Sequence, residues 1–449
     1  MILRFICFCS MISWILSCNP SKSLVQERTG SQKSDWKSEI QSIVYKDSVF
    51  RNSHTGLLVR KLGTTQDIID LKSDQYFTPA SNTKLLTFLT CLHVLEEHIS
   101  ALKLYESRDS LIIWGTGDPT LLNPFLQTND FISERLKQSE KQIYFSTSNF
   151  NGSRYGSAWS WDDYNYAFQA EMHSLPFHGN VVSFRKPFID SKFSIYPTHF
   201  ETLTMPRMEG DGPTILRDEH ENLFRYHYDR VKSRYNINRY VPFRTSVELQ
   251  VELLAAHIGR EIEIIDSGVN LVNAENLRST HVDSLYRLLL QPSDNFVAEQ
   301  LLLNCGSELF DELSTDKVIA WAKDSILHEA PQAFQWADGS GLSRYNMTSP
   351  ANMLHVLELI HKKIDQDRLF RLLPTGGESG TIRNYYGAEK PFIHAKTGSL
   401  RNNHSLSGYL IGDSGEVYLF SFMNSNYLVS NKDLKGGMEK VLRILKANL

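Results

Sequence analysis

Apolar residues recur at helical spacing in Leu85, Leu86, Phe88, Leu89, Leu92 and Leu95, directly after an extended-looking run at 76–80. That pattern predicts a buried helix entered from a strand-like segment. A second helix is predicted over 247–258, followed by a strand at 261–265. Short strands are expected at Leu111-Ile112-Ile113-Trp114, Gln142-Ile143-Tyr144-Phe145 and Val181-Val182-Ser183-Phe184, separated by loops rich in Gly, Asn and Asp. Near the C-terminus an apolar run at 391–395 precedes an alternating pair of segments. Leu406, Gly408, Tyr409, Leu410 and Ile411 lead through the turn Gly412-Asp413-Ser414-Gly415 to Val417-Tyr418-Leu419-Phe420, the mark of a hairpin. No internal repeat or low-complexity tract interrupts these elements.

The first apolar run, residues 5–16 after Arg4, is too short to span a bilayer and fits an export signal over 1–17. Ile15-Leu16-Ser17-Cys18 resembles a bacterial lipobox, so Cys18 is a candidate lipidated first residue. Simple cleavage and an uncleaved anchor are the alternatives. Residues 18–36, rich in Ser, Lys, Gln and Glu, read as a flexible tether.

A chain of 449 residues with 41% hydrophobic content can bury more than one core. Its formal net charge of −4 argues against nucleic acid as a partner. No Walker loop, dinucleotide-binding glycine pattern or paired Cys/His metal spacing occurs, so neither cofactor nor metal is implied. Of the five cysteines, Cys91 and Cys305 lie beyond the N-terminal segment, on apolar helix-like runs. Two buried thiols and a disulfide between them both fit.

The chemistry concentrates at Ser81-Asn82-Thr83-Lys84. A serine hydroxyl needs a neighbouring base to act as a nucleophile, and residues three apart share a helix face, so Lys84 can stand beside Ser81. The spacing alone is common: Ser34/Lys37, Ser183/Lys186 and Ser314/Lys317 repeat it. Only Ser81 stands where an extended run meets a buried helix, although a serine there also suits a helix cap. Ser293-Asp294-Asn295 and Lys396-Thr397-Gly398 follow in order, completing a set shared by penicillin-binding proteins and class A β-lactamases. A lysine on an edge strand is ordinarily a solvated charge, but beside a hydroxyl and a glycine it suits a carboxylate and a close substrate backbone.

Beyond these motifs the chain from about residue 40 resembles the S13 peptidases, low-molecular-mass penicillin-binding proteins of the D-alanyl-D-alanine carboxypeptidase/endopeptidase type. The likeness runs through Gly115-Thr116-Gly117-Asp118-Pro119-Thr120-Leu121, Trp159-Ser160-Trp161-Asp162-Asp163 and Ser293-Asp294-Asn295-Phe296-Val297-Ala298-Glu299. It continues through Asp338-Gly339-Ser340-Gly341-Leu342-Ser343-Arg344, Gly380-Thr381-Ile382 and Lys396-Thr397-Gly398-Ser399-Leu400. The resemblance implies an α+β fold: a β-lactamase/transpeptidase-like core of antiparallel sheet flanked by helices, with a helical subdomain, over 37–100 and 276–449. A large β-rich insertion would occupy 101–275.

The same resemblance assigns roles. Ser81 attacks, Lys84 takes its proton, Ser293 and Asn295 bridge the lysines and the substrate, and Lys396 supplies charge that lowers the basicity of Lys84. The Thr397 and Ser399 hydroxyls, beside Lys396, suit the substrate's terminal carboxylate, Gly398 lets the substrate backbone approach, and the N–H groups of Ser81 and Ser399 form the oxyanion hole. Asp163 and Phe168 line a pocket for the stem-peptide side chain, with Arg344 at its border. Arg401 departs from the neutral amide found in relatives, and Asp118 reads as a turn residue. Peptidoglycan stem peptides and β-lactams are the implied partners. A β-lactamase and a non-catalytic penicillin sensor share the scaffold. The long insertion and the lack of a Glu-x-x-x-Asn segment oppose the first, and the complete reactive set opposes the second.

Overall fold

The computed structural model describes residues 35–126, 130–150, 152–188, 192–207, 213–227, 236–266 and 271–449. The signal segment, Cys18 and the tether up to residue 34 lie outside them.

Five antiparallel strands form the central sheet, in the order Ile393–Leu400, Asn403–Ile411, Val417–Ser425, His54–Lys61, Asp67–Leu71. The predicted hairpin closes with Ile411 opposite Val417. Successive side chains of a strand point to opposite faces, and both faces here are packed against helices. Leu57 and Val59 thus join a core with the terminal helices Trp36–Lys46 and Asn431–Asn448. Leu58 and Tyr409 face a second core built from helices Lys84–Val94, Val282–Leu290, Asn295–Phe310 and Pro350–Lys363. Tyr409 is buried there with its hydroxyl donating to Leu357 O at 2.7 Å, which satisfies its one polar atom.

A second five-stranded sheet runs Ile262–Ile265, Gln142–Ser146, Ser110–Gly115, His98–Glu106, Glu275–His281. The expected boundaries near 100 and 276 fall inside its last two strands, which pair antiparallel, so the chain leaves and re-enters the central region through neighbours. The predicted helix forms as Val247–Ile258: Ser246 caps it by accepting from Leu249 N–H, and Gly259 at φ +70° ends it, a backbone that favours glycine. Two three-stranded sheets complete this region among the described residues.

Residues 76–80 depart from the strand expectation. Phe77 makes a single bridge to Thr348, and the chain then tightens into the 3₁₀ turn Ala80–Thr83 with Ala80 at φ +50°. Cys91 and Cys305 are buried free thiols on two packed helices, with sulfurs 3.8 Å apart.

Candidate active site

Ser81 lies in the 3₁₀ turn and Lys84 opens the helix behind it. Ser81 makes no cap hydrogen bond; Lys84 Nζ donates to its Oγ at 3.0 Å. The rival serines have other work. Ser314 caps the helix Thr315–Ser325, Ser183 is buried in a strand against His178 Nε2 at 2.7 Å, and Ser34 lies outside the described residues.

Lys84 is fully buried and donates twice more, to Asn295 Oδ1 and to Ser340 O, both at 2.6 Å. Burial lowers its pKa to about 8, against the opposing pull of Asp338, Glu299 and Asp294. Burial is thus the cause, and the charge expected from Lys396 is not among the influences on Lys84. Lys396 is itself held well below the usual lysine range, first by burial and then by the charge of Lys84.

Across from this pair, Ser293 sits at φ +67°, a conformation rare for a side-chain-bearing residue. Asp294 follows as the cap of Asn295–Phe310, accepting from Val297 N–H. The strained step lets Ser293 turn toward the edge strand, where Lys396 Nζ donates to its Oγ at 2.7 Å. Asn295, one residue into the helix, receives Lys84 on its carbonyl oxygen and donates its amide to Phe168 O at 2.9 Å.

The edge strand lies directly on the nucleophile turn. A Cβ on Gly398 would come 2.2 Å from Pro79 O and 3.0 Å from Ser81 N, so only glycine fits. Asn82 Nδ2 locks the strand by donating to Lys396 O at 2.8 Å. Thr397 and Thr381 share a hydroxyl hydrogen bond at 2.7 Å, and Ser399 Oγ meets His404 Nδ1 at the same distance.

A cavity of about 550 Å³ opens on Ser81, Asn295 and Ser399, and the same cavity is lined by Asp163, Phe168, Arg344 and Arg401. The structure thus brings the motif residues and the proposed recognition residues to one cleft. Burial, then the neighbouring Asp162, raise the pKa of Asp163, while Arg344 pulls it down. Asp118 lies outside this cleft in a turn, accepting from Thr120 N–H and Oγ1 and from Ser279 Oγ.

Three residues that entered the sequence analysis only as members of motifs, without a role, also act here. Ser340 presents a carbonyl to Lys84, and the buried carboxylates of Glu299 and Asp338 gather the loop that carries it. Glu299 lies four residues after Asn295, hence on the same helix face, a signal open to inspection. The loop it meets is not adjacent in sequence, so nothing local named its partner.

A buried amine on a serine hydroxyl, a second serine–lysine pair facing it, and a glycine-bearing edge strand against the nucleophile mark a serine hydrolase of the penicillin-binding class. The chain belongs to the D-Ala-D-Ala carboxypeptidase 3 (S13) family, whose model matches residues 37–187 and 259–448. D-alanyl-D-alanine carboxypeptidase DacB of Haemophilus influenzae is 26% identical over 427 residues, covering 85% of this chain and 88% of that protein. Penicillin-sensitive carboxypeptidase A of Dictyostelium discoideum is 20% identical over 444 residues, covering 85% and 84%. The crystal structure of penicillin binding protein 4 from Haemophilus influenzae has the same fold: TM-score 0.69 at 21% identity, covering 91% of this chain and 98% of that one.

Proposed function

We propose that the protein is a serine D,D-carboxypeptidase of peptidoglycan stem peptides, with D,D-endopeptidase activity on cross-links, and that penicillin acylates it. The observation that carries this reading is the Ser81–Lys84–Asn295 cluster, with Ser293–Lys396 beside it, at one 550 Å³ cleft.

In this reading Ser81 Oγ attacks the carbonyl carbon of the terminal D-Ala-D-Ala bond while Lys84 Nζ, neutral at that moment, takes the hydroxyl proton. Negative charge gathers on the carbonyl oxygen, where the N–H groups of Ser81 and Ser399 receive it. The C–N bond then breaks. Ser293, whose Oγ lies 2.7 Å from Lys396 Nζ, passes to the departing D-alanine amine the proton that Lys84 drew from Ser81, so that Lys84 is neutral again. Water attacks the remaining ester with Lys84 again as base, releasing the shortened peptide and restoring Ser81. Lys396 and Thr397, with Ser399, suit the substrate's terminal carboxylate. Asp163 pairs with the free amine of a diamino-acid side chain, Phe168 packs on its stem, and Arg344 borders it.

Residues 37–100 and 276–449 form the catalytic domain in this account and 101–275 the insertion. Residues 1–17 direct export, and Cys18 carries lipid that holds the enzyme at a membrane facing its substrate. Intact-mass analysis of the native product tests that attachment: a mature N-terminus other than Cys18, without acyl mass, contradicts it.

Mass spectrometry of the protein incubated with a disaccharide pentapeptide and with a cross-linked dimer tests the activity. Loss of one D-alanine from the first and cleavage of the second are expected. A penicillin ester that turns over rapidly would instead make the protein a β-lactamase, and no ester would make it a non-catalytic binder.

A further inference from the structure

Behind Lys84, on the side away from Ser81 in the chain of contacts, stands a carboxylate with no part in the steps above. Glu299 is 1% exposed on the helix Asn295–Phe310. Its Oε1 accepts from Ser340 N–H at 2.8 Å and its Oε2 from Gly339 N–H at 2.9 Å. Thr87, one turn beyond Lys84, donates its hydroxyl to Gly339 O at 2.7 Å, so the same residue is gripped from two helices. A Cβ on Gly339 would come 2.8 Å from Ala298 O; the loop backbone rests on the helix itself. The next carbonyl along, Ser340 O, is the one that receives Lys84 Nζ. Asp338 closes the loop by accepting from Gly341 N–H, Ser343 N–H, Asn346 Nδ2 and Trp159 Nε1 at 2.6–2.9 Å.

We propose that Glu299 is a positioning residue for Lys84: by holding the backbone of Gly339 and Ser340 it fixes the Ser340 carbonyl on Lys84 Nζ, and its charge helps set the pH at which Lys84 accepts the Ser81 proton. This rests on the reading of Lys84 as the base.

The charges that act on Lys84 are Glu299 and Asp338 from the loop side and Asp294 from the start of the facing helix; Lys396, on the edge strand, is the charged group that Lys84 in turn acts on. The charge on Glu299 is pushed both ways. Burial and Asp338 raise its pKa to about 8, while the N–H groups of Gly339 and Ser340 favour the ionised form. With its pKa close to that of Lys84, Glu299 is ionised over the upper part of the rising limb; there an anion beside the loop favours the ammonium, so removing it eases loss of the proton and moves the base into play at lower pH. A merely structural residue would lower the rate without moving that limb.

The test is the second-order rate of acylation by a fluorescent penicillin, followed from acid to alkaline pH in the full protein, with melting curves alongside. In wild type the rate rises with pH as Lys84 loses its proton. Glu299→Gln replaces one acceptor oxygen by an amide that cannot receive an N–H, so the plateau is expected to fall about tenfold. The rising limb is expected to move to lower pH by about one unit. Glu299→Asp keeps the charge but withdraws it by one carbon. Its plateau should fall while its rising limb stays with wild type, and this variant carries the test if the amide variant does not fold. A limb that stays put or moves to higher pH in Glu299→Gln, a limb displaced in Glu299→Asp, or an unchanged plateau in either variant overturns the proposal. Failure of wild type to form an ester at Ser81 would instead overturn the parent reading.

Discussion

Lys84 is sealed from water and held by three hydrogen bonds, whereas Asp163, Phe168, Arg344 and Arg401, on the same cleft, are half-buried or exposed. The contrast follows from what each set must do. A base for a serine must lose the strong hydration that keeps an ammonium protonated, and burial does this by disfavouring the charged form. Groups that recognise a substrate must be reachable, and an exposed charge gives up water only when the ligand arrives, so each contributes modestly. The catalytic side therefore resembles a protein core with polar wiring, and the recognition side a surface. Perturbing the two should give effects of different size and kind.

The largest loss is expected from Lys84→Arg. A guanidinium does not give up its proton at neutral pH, so penicillin acylation should fall by about 10²- to 10⁴-fold, as for loss of a general base. Stopped-flow acylation with a parallel melting curve checks it. Unchanged acylation would mean that another group takes the Ser81 proton, and the contrast between the two sides of the cleft would collapse.

Gly398→Ala comes next, because its Cβ meets backbone rather than a movable side chain. Overpacking at such a place costs about 1–3 kcal/mol. Separation of the edge strand from Ser81 should slow acylation by about 10- to 100-fold. A variant with wild-type melting temperature and rate would show that the strand does not need to lie so close.

Asp163→Asn should show the smallest and most selective effect. Its carboxylate is exposed enough for water to screen it, so the specificity constant for a stem peptide bearing a free side-chain amine should drop about tenfold. A small D-Ala-D-Ala substrate without that amine, and penicillin itself, should react as with wild type. Equal slowing of both substrates would give Asp163 a structural role; no slowing would remove it from recognition.

What could be read from the sequence follows the same division. Ser81 with Lys84, the hairpin 403–425 and the helix Val247–Ile258 depend on contacts between near neighbours, and spacing exposes them. The convergence of Asp163, Phe168 and Arg344 on the cleft came from the likeness of short motifs to a family. The grip of Glu299 on Gly339 and Ser340, and of Trp159 on Asp338, joins segments far apart in the chain, where no periodicity can report a partner. Burial of Lys84 follows from its place at the head of an apolar helix, whereas the balance of charges around it, three carboxylates rather than Lys396, is a property of the folded whole.

The central claim is that Ser81, activated by Lys84, is the nucleophile. Peptide mapping of the penicillin-labelled protein by mass spectrometry tests it most directly. The account predicts a single ester on the peptide containing Ser81, absent from Ser81→Ala; a label on Ser34, Ser183, Ser293 or Ser314, or persistence of the label in Ser81→Ala, would contradict it.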